Sequence, residues 1–257
     1  MADIIRSAKS GSAWTSIELL AYNIIVHPQP SAVFFGREPN APLDNLDQHF
    51  VSDSLDHYYQ DQADISDNTF RLLRYLRLAT RANAGQESAI DDLAKGAPAY
   101  AIPLTICGDS EHCAQTDVCL IHDSGTILLV VQEDKDPFTP KDHDPRVIAA
   151  AIAAFQYNNW CARAAIGEPP LDAMIIPCIM MVGTRPVFYQ VPVTTALSSA
   201  VIGGQYPKEA THVTTCVVSP SQCFYEGMEV PSYRKIALQH LAAFKVLAKL
   251  WWQKFLV

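Results

Sequence analysis

The chain has 257 residues, with 19 Lys or Arg against 27 Asp or Glu, which gives a formal net charge of −8. Hydrophobic residues make up 49% and charged residues 18%, a balance that excludes a disordered chain, because disorder needs low hydrophobicity and high net charge. The acidic total also argues against a protein that coats nucleic acid through its overall charge, but it leaves room for a local basic patch.

The N-terminus carries charges within a short apolar stretch and lacks the long apolar centre of a secretory signal. The longest apolar runs, Val147 to Phe155 and Ala173 to Gly183, are shorter than the roughly 18 to 20 residues of a membrane helix. The seven cysteines form no C-x-x-C pair, which is typical of reduced thiols. We therefore expect an intracellular protein, cytoplasmic or nuclear, with no signal peptide and no membrane span.

The first part of the chain gives few regular signals. After an apolar run at Ser16 to Val26, prolines impose loops at positions 28, 30, 39 and 42, and residues 44 to 67 are acidic. We expect residues 1 to 66 to form an irregular arm that packs on the core. Residues 67 to 257 are then expected to form a single α/β domain.

A helix is predicted from Phe70 to Arg81, with its N-cap in residues 66 to 68. Arginines recur along it at spacings of three, three and four, so they fall within roughly a third of its circumference. They are Arg71, Arg74, Arg77 and Arg81. Because arginine pairs readily with phosphate, the stripe predicts a nucleic-acid contact. Two other interpretations stay open: a solvated face paired with the acidic segment, or a stripe masked by that segment.

The next elements are a helix from Gln86 to Lys95, an extended Pro98 to Ile106, and a hairpin over residues 115 to 135. Asp123-Ser124-Gly125 separates the two β-rich runs of this hairpin and is a strong turn signal. Beyond it, a helix is predicted from Asp144 to Ala165, with Asp144 as its N-cap and Pro145 in its first turn.

The remaining pattern comprises a second hairpin, a short helix, a strand and a long amphipathic helix. Their predicted ranges are Met174 to Gly183 with Val187 to Val193, then Ala196 to Ile202, Val213 to Val218 and Tyr233 to Leu256. This order predicts an α/β (α+β) fold with a mixed central sheet flanked by helices. The apolar residues of the last helix lie on more than one side, which fits either docking onto the core or a homodimer interface.

Charged residues at the end of the hairpin's second strand form a candidate site. Side chains in a strand alternate between faces, so Glu133 and Lys135 share one face while Gln132 and Asp134 share the other. The turn brings Asp117 across from residues 131 to 133. Two carboxylates of this kind suit Mg²⁺ or Mn²⁺, and the lysine can orient a water nucleophile.

The pattern of Asp117, a hairpin and Glu133-x-Lys135 resembles the motif of the PD-(D/E)xK nuclease superfamily, with Thr116 where the nominal proline stands. Glu87 lies where many members carry a supporting glutamate. Gln156, four residues before Trp160, is similar to the Gln-x-x-x-Tyr element of the RecB-like branch. The resemblance covers Glu87 to about Trp160 and implies a restriction-endonuclease-like core.

The stretch Leu104 to Lys135 also resembles uncharacterised proteins of mushroom-forming fungi, which suggests a eukaryotic source. The resemblance to the nuclease superfamily implies a metal-dependent nuclease acting on DNA or RNA. In that function Asp117 and Glu133 bind Mg²⁺ or Mn²⁺, Lys135 positions water, and Glu87 and Gln156 support the site. The alternative is a non-catalytic relative that keeps the fold and binds a macromolecule.

Overall fold

The computed structural model describes residues 6–52, 66, 69, 70, 72, 73, 76, 100–134, 142–218 and 227–253. The strands in these residues are β1 (Ile24–Pro28), β2 (Tyr100–Ile106), β3 (Asp109–Thr116), β4 (Val118–Ile121), β5 (Ile127–Asp134), β6 (Ala173–Val182), β7 (Arg185–Thr194) and β8 (Thr211–Val217). The α-helices are α1 (Ser16–Ala21), α2 (Ser31–Phe34), α3 (Gln48–Ser52), α4 (Asp144–Tyr157), α5 (Thr195–Gly203) and α6 (Pro231–Trp252).

Two sheets organise the described part of the chain. The larger one has six strands in the order β1-β8-β7-β6-β5-β4, and β2 pairs with β3 in a separate two-stranded sheet. The pairs β1–β8 and β5–β6 are parallel, and the other pairs are antiparallel. The predicted mixed sheet with flanking helices is therefore confirmed.

Both predicted hairpins form at the turns that the sequence indicates. Gly125 adopts a φ of +82° between β4 and β5, and Gly183 adopts a φ of +59° in the two-residue turn between β6 and β7. Residues with a side chain rarely adopt these backbone angles, so glycine permits each reversal. The two turns pair β4 with β5 and β6 with β7.

Helix α4 connects β5 to its parallel neighbour β6 and is buried on every side. The ten residues from Val147 to Gln156 are each at most 1% exposed. On one side they pack against β5, β6 and β7, and on the other against Ile102, Leu104 and Ala114 of the smaller sheet. Alanines at half of these positions allow the layers to approach closely. The sequence predicts Asp144 as the N-cap, but in the structure Asp144 is the first residue of the helix. His143 occupies the N-cap position.

The other face of the large sheet is covered by α6. Phe188 of β7 packs against Phe244 with ring centroids 4.8 Å apart, and the Trp252 indole donates a 2.8 Å hydrogen bond to the Leu128 carbonyl. This is the core docking predicted for the last helix. Val246 and Leu250 on its outer side are 62% and 55% exposed. A homodimer interface at Leu247 to Leu256 stays a prediction. In the described residues, no helix is long and apolar enough to cross a membrane.

The described residues of the segment 1 to 66, which was expected to be an irregular arm, contribute regular elements to the domain. Strand β1 forms an edge of the large sheet beside β8, and Trp14, Tyr22 and Ile24 lie in the main core. Thr15 and Glu18 form a complete capping box at the start of α1. Strand β1 is difficult to predict from the sequence because it has only five residues and ends at a proline.

The turn Gly11–Ala13 passes so close to β3 and α4 that a methyl group at Gly11 would clash. A Cβ there would lie 2.8 Å from the Ala114 Cβ and 3.2 Å from the Ala149 Cβ. We expect Gly11→Ala to lower the free energy of unfolding by about 1–3 kcal/mol, the usual cost of overpacking. Urea denaturation measures this change.

Gly203→Ala is the matched control, because its Cβ would meet only ordinary contacts of 3.6 Å or more at the end of α5. This control should be neutral or slightly stabilising. Equal stability of the Gly11→Ala variant and the wild type would contradict the tight packing.

Candidate functional site

Asp117 lies at the point where the chain changes partner strand. It separates β3, which pairs with β2, from β4, which pairs with β5. Its backbone N–H donates to the Val131 carbonyl at 3.1 Å, and its carboxylate Oδ2 accepts a 2.8 Å hydrogen bond from the Glu133 N–H. The structure therefore brings Asp117 beside Glu133, as the hairpin geometry predicts.

The end of β5 separates its charged residues by face. Glu133 is half-buried, on the same face as Leu129 and Val131, whereas Gln132 and Asp134 are 3% and 6% exposed on the opposite face. Leu129 packs against the cluster that includes α6. Glu133 consequently lies on the α6 side of the sheet, and Asp134 lies on the α4 side.

The Asp117–Glu133 pair offers oxygen donors of the kind that hard divalent cations prefer. One Asp117 oxygen is engaged by the Glu133 N–H, which fixes the carboxylate's position. Within the described ranges, no group of three or more His, Cys, Asp or Glu side chains could hold a metal. Mg²⁺ needs only one or two protein carboxylates, because waters and substrate phosphates complete its six ligands. The donor chemistry of the pair therefore fits Mg²⁺ or Mn²⁺.

Several predicted site residues lie outside the described residues, and their roles stay predictions. They are Lys135, Glu87 and the stripe arginines Arg71, Arg74, Arg77 and Arg81. The backbone is helical at three described residues of the helix predicted to carry that stripe, Leu72, Leu73 and Leu76.

Gln156 lies at the other end of α4 from the carboxylate pair. Near the start of α4, Gln132 of β5 donates to the Arg146 carbonyl at 3.2 Å, whereas near its end Asn158 bonds to both backbone groups of Ile127. From Asp144 to Gln156 the helix rises by about 18 Å. The structure therefore does not bring Gln156 to the end of β5 where Asp117 and Glu133 meet.

The Gln156 amide is instead bonded to the smaller sheet. It is 1% exposed, accepts from the Thr105 N–H at 2.9 Å and donates to the Thr105 carbonyl at 3.1 Å. Asn159 makes the same two-way contact with Leu171. Trp160, in the position compared with a family tyrosine, is 52% exposed. Together with Asn158, these carboxamides attach the end of α4 to three different backbone segments.

A buried polar cluster beside the start of α4 was not predicted from the sequence. Asp134 and His143 approach within 3.3 Å with side chains 6% and 12% exposed, and the Tyr189 hydroxyl donates to the Asp144 carboxylate at 2.9 Å. These four residues come from β5, β7 and the start of α4. Strand alternation already places Asp134 on the core face, but its partners come from distant segments.

Burial raises the pKa of the Asp144 carboxyl above its ordinary value, and the hydrogen bond from Tyr189 opposes that rise. Burial, together with the nearby Asp144 charge, raises the pKa of Tyr189 well above its ordinary value. The phenol therefore stays protonated at neutral pH and acts as a hydrogen-bond donor. The charged groups of Asp134, His143 and Asp144 therefore have partners within this cluster, so they need not belong to the candidate metal site.

No protein-family model, curated protein or solved structure matches this chain. The assignment of its chemistry therefore rests on its own residues.

We expect Gln156→Leu to lower the free energy of unfolding by about 2–5 kcal/mol, because both Thr105 backbone groups lose their partner in a buried site. Thermal denaturation of the variant measures the loss. Gln115→Leu, a change at an exposed residue of β3, is the control and should stay near the wild type. A Gln156→Leu variant with wild-type stability but impaired chemistry would favour the catalytic role predicted from the sequence.

Burial of the Asp144 carboxyl should make stability depend on pH, and the hydrogen bond from Tyr189 should reduce that dependence. Because the Asp144 pKa is raised in the folded state, the folded protein binds the proton more tightly than the unfolded chain, so stability falls as pH rises above about 4. Tyr189→Phe removes the donor and should raise the Asp144 pKa further. We expect its destabilisation to grow from pH 4 to pH 7, reaching about 1.5–3 kcal/mol.

Urea denaturation across that range measures this growth, and Asp144→Asn is the matched background. In the Asp144→Asn protein, Tyr189→Phe should cost the same at pH 4 and pH 7. A pH-independent cost in the wild-type background would refute the coupling.

Proposed function

We propose that the protein is a metal-dependent phosphodiesterase that hydrolyses DNA or RNA through the carboxylates of Asp117 and Glu133. The observation that carries this proposal is the 2.8 Å hydrogen bond from the Glu133 N–H to the Asp117 carboxylate. This bond joins two acidic residues from adjacent strands at the start of β4 and the end of β5. In the resembled superfamily, acidic residues at those two positions hold the metal.

The order of elements around the pair supports a restriction-endonuclease-like core. The β4–β5 hairpin carries both acids, α4 follows directly, and β6 returns parallel to β5. The hairpin, the motif and the helix that follows come in the order that the resembled fold requires. The restriction-endonuclease-like architecture is part of the proposal.

Each residue has a separate task in the proposed reaction. When bound, Mg²⁺ or Mn²⁺ would offset negative charge on the phosphate and lower the pKa of a coordinated water. Asp117 and Glu133 would hold the cation, and Lys135 would orient the attacking water and stabilise charge developing on phosphorus. The stripe Arg71, Arg74, Arg77 and Arg81 would contact the nucleic-acid backbone, and Glu87 would support the site.

The experiment compares nuclease activity of the wild type with Asp117→Asn, Glu133→Gln and Lys135→Ala, on single- and double-stranded DNA and RNA with Mg²⁺ or Mn²⁺. The asparagine side chain introduced by Asp117→Asn retains an oxygen that accepts the Glu133 N–H, so this change removes charge but keeps the local hydrogen bond. We expect each variant to lose about 10²–10³-fold in rate, the usual effect of removing one electrostatic contact in the transition state.

The matched control is Asp123→Asn, which removes the same charge from an exposed carboxylate in the turn of the same hairpin. This control should keep wild-type activity. Hydrolysis that survives in both Glu133→Gln and Lys135→Ala would discard the site assignment. Metal and nucleic-acid binding without hydrolysis by the wild type would favour the non-catalytic alternative.

A further inference from the structure

Two histidines meet on the outer face of the sheet edge formed by β1 and β8. His27 Nε2 lies 2.8 Å from His212 Nδ1, and the two rings stack with their centroids 5.0 Å apart. His212 lies opposite Ile25 in the parallel register, and His27 lies opposite Thr214. Because alternate residues share a face, both imidazoles project from the same side of the sheet. Both histidines are exposed.

The pair lies far from the candidate nuclease site. The histidines lie on β1 and β8, and the acidic pair lies on β5 and beside β4, so the nearest strands of the two sites are three strand spacings, or about 14 Å, apart. The ligand chemistry also differs, because imidazole nitrogen is softer than carboxylate oxygen and suits zinc, copper and nickel rather than magnesium. Whatever binds at the histidine pair is therefore independent of the Asp117–Glu133 pair.

We propose that His27 and His212 form a binding site for a transition-metal ion of the Cu²⁺ or Ni²⁺ type. Two nitrogens that bind one ion at about 2.0–2.1 Å lie about 2.9 Å apart when they subtend a right angle, and about 3.4 Å apart in a tetrahedron. The observed 2.8 Å matches the right-angled arrangement of square-planar or octahedral ions. It matches the tetrahedral geometry of zinc less well.

Binding requires only a local change in protonation. Without the ion, either His27 Nε2 or His212 Nδ1 carries the proton of the hydrogen bond between them. When both nitrogens coordinate the ion, that proton moves to the other nitrogen of the same imidazole ring. No net proton release follows from this change of tautomer. The Thr214 hydroxyl, directly across from His27, is buried and makes no hydrogen bond to the described residues.

An open approach leads to the pair. His212 borders a cleft of about 640 Å³ whose lining also includes Lys208, Glu209 and Tyr206. Water or a small ligand that occupies this cleft can supply the remaining coordination positions. The ion would join β1 to β8 and thereby strengthen the attachment of the N-terminal segment to the sheet.

The test is a titration of the untagged full-length protein with Cu²⁺ followed by electron paramagnetic resonance, and with Ni²⁺ followed by calorimetry. We expect a Cu²⁺ spectrum with two nitrogen ligands in the wild type. His27→Ala or His212→Ala should weaken Ni²⁺ binding at least about 10–100-fold, since even the loss of a residue that merely supports a ligand has that effect. His49→Ala, at an exposed histidine of α3, should leave binding unchanged.

An unchanged Cu²⁺ spectrum in the His27→Ala/His212→Ala double variant would overturn the proposal. As a second measurement that needs no variant, Cu²⁺ should broaden the backbone amide resonances of β1 and β8 in the wild type, and broadening elsewhere alone would also overturn it. Mg²⁺-dependent nuclease activity should be unaffected by the histidine changes, so the two proposals can fail separately.

Discussion

A helix without a solvent-facing side determines the layout of this protein. The segment from Val147 to Gln156 is apolar all round except for its last residue, and every side of it must be covered. The large sheet covers one side. The small β2–β3 sheet and the turn at Gly11 cover the other, where alanine side chains leave room for a close approach. The three carboxamides at the end of this helix satisfy backbone groups which water cannot reach there.

The same constraint explains the geometry at Asp117. The chain from Asp109 to Ile121 performs two tasks, since β3 pairs with β2 over α4 while β4 extends the large sheet. A single residue joins these strands, and at that residue the chain must leave one partner for the other. The Asp117 carboxylate binds the Glu133 N–H where this change of partner occurs. The residue that makes the bend is thus also the residue that brings a charge to the end of β5.

Local signals made the main sheet predictable. Gly125 and Gly183 mark turns that need positive φ, and the apolar runs beside them are long enough to identify the strands. Strand β3 cannot be recognised from its sequence, because the polar segment DSEHCAQT is typical of a loop unless the helix that it covers is known. The role of Gln156 was equally inaccessible, because a Gln-x-x-x-Trp spacing does not reveal that the amide binds Thr105. Sequence identifies turns and periodicity, whereas the partners of a buried polar group depend on distant segments.

The end of β5 illustrates how the fold gives two neighbouring acids different environments. Glu133 lies beside Asp117, and Asp134 lies next to His143 in a buried cluster. A register slip of one residue would exchange their faces, but it would also turn Val130, which is fully buried, away from α4. Burial of such apolar side chains therefore fixes which acid faces Asp117. The net charge of −8 is consequently a poor guide to function, because adjacent acidic residues lie in different environments on opposite faces of one strand.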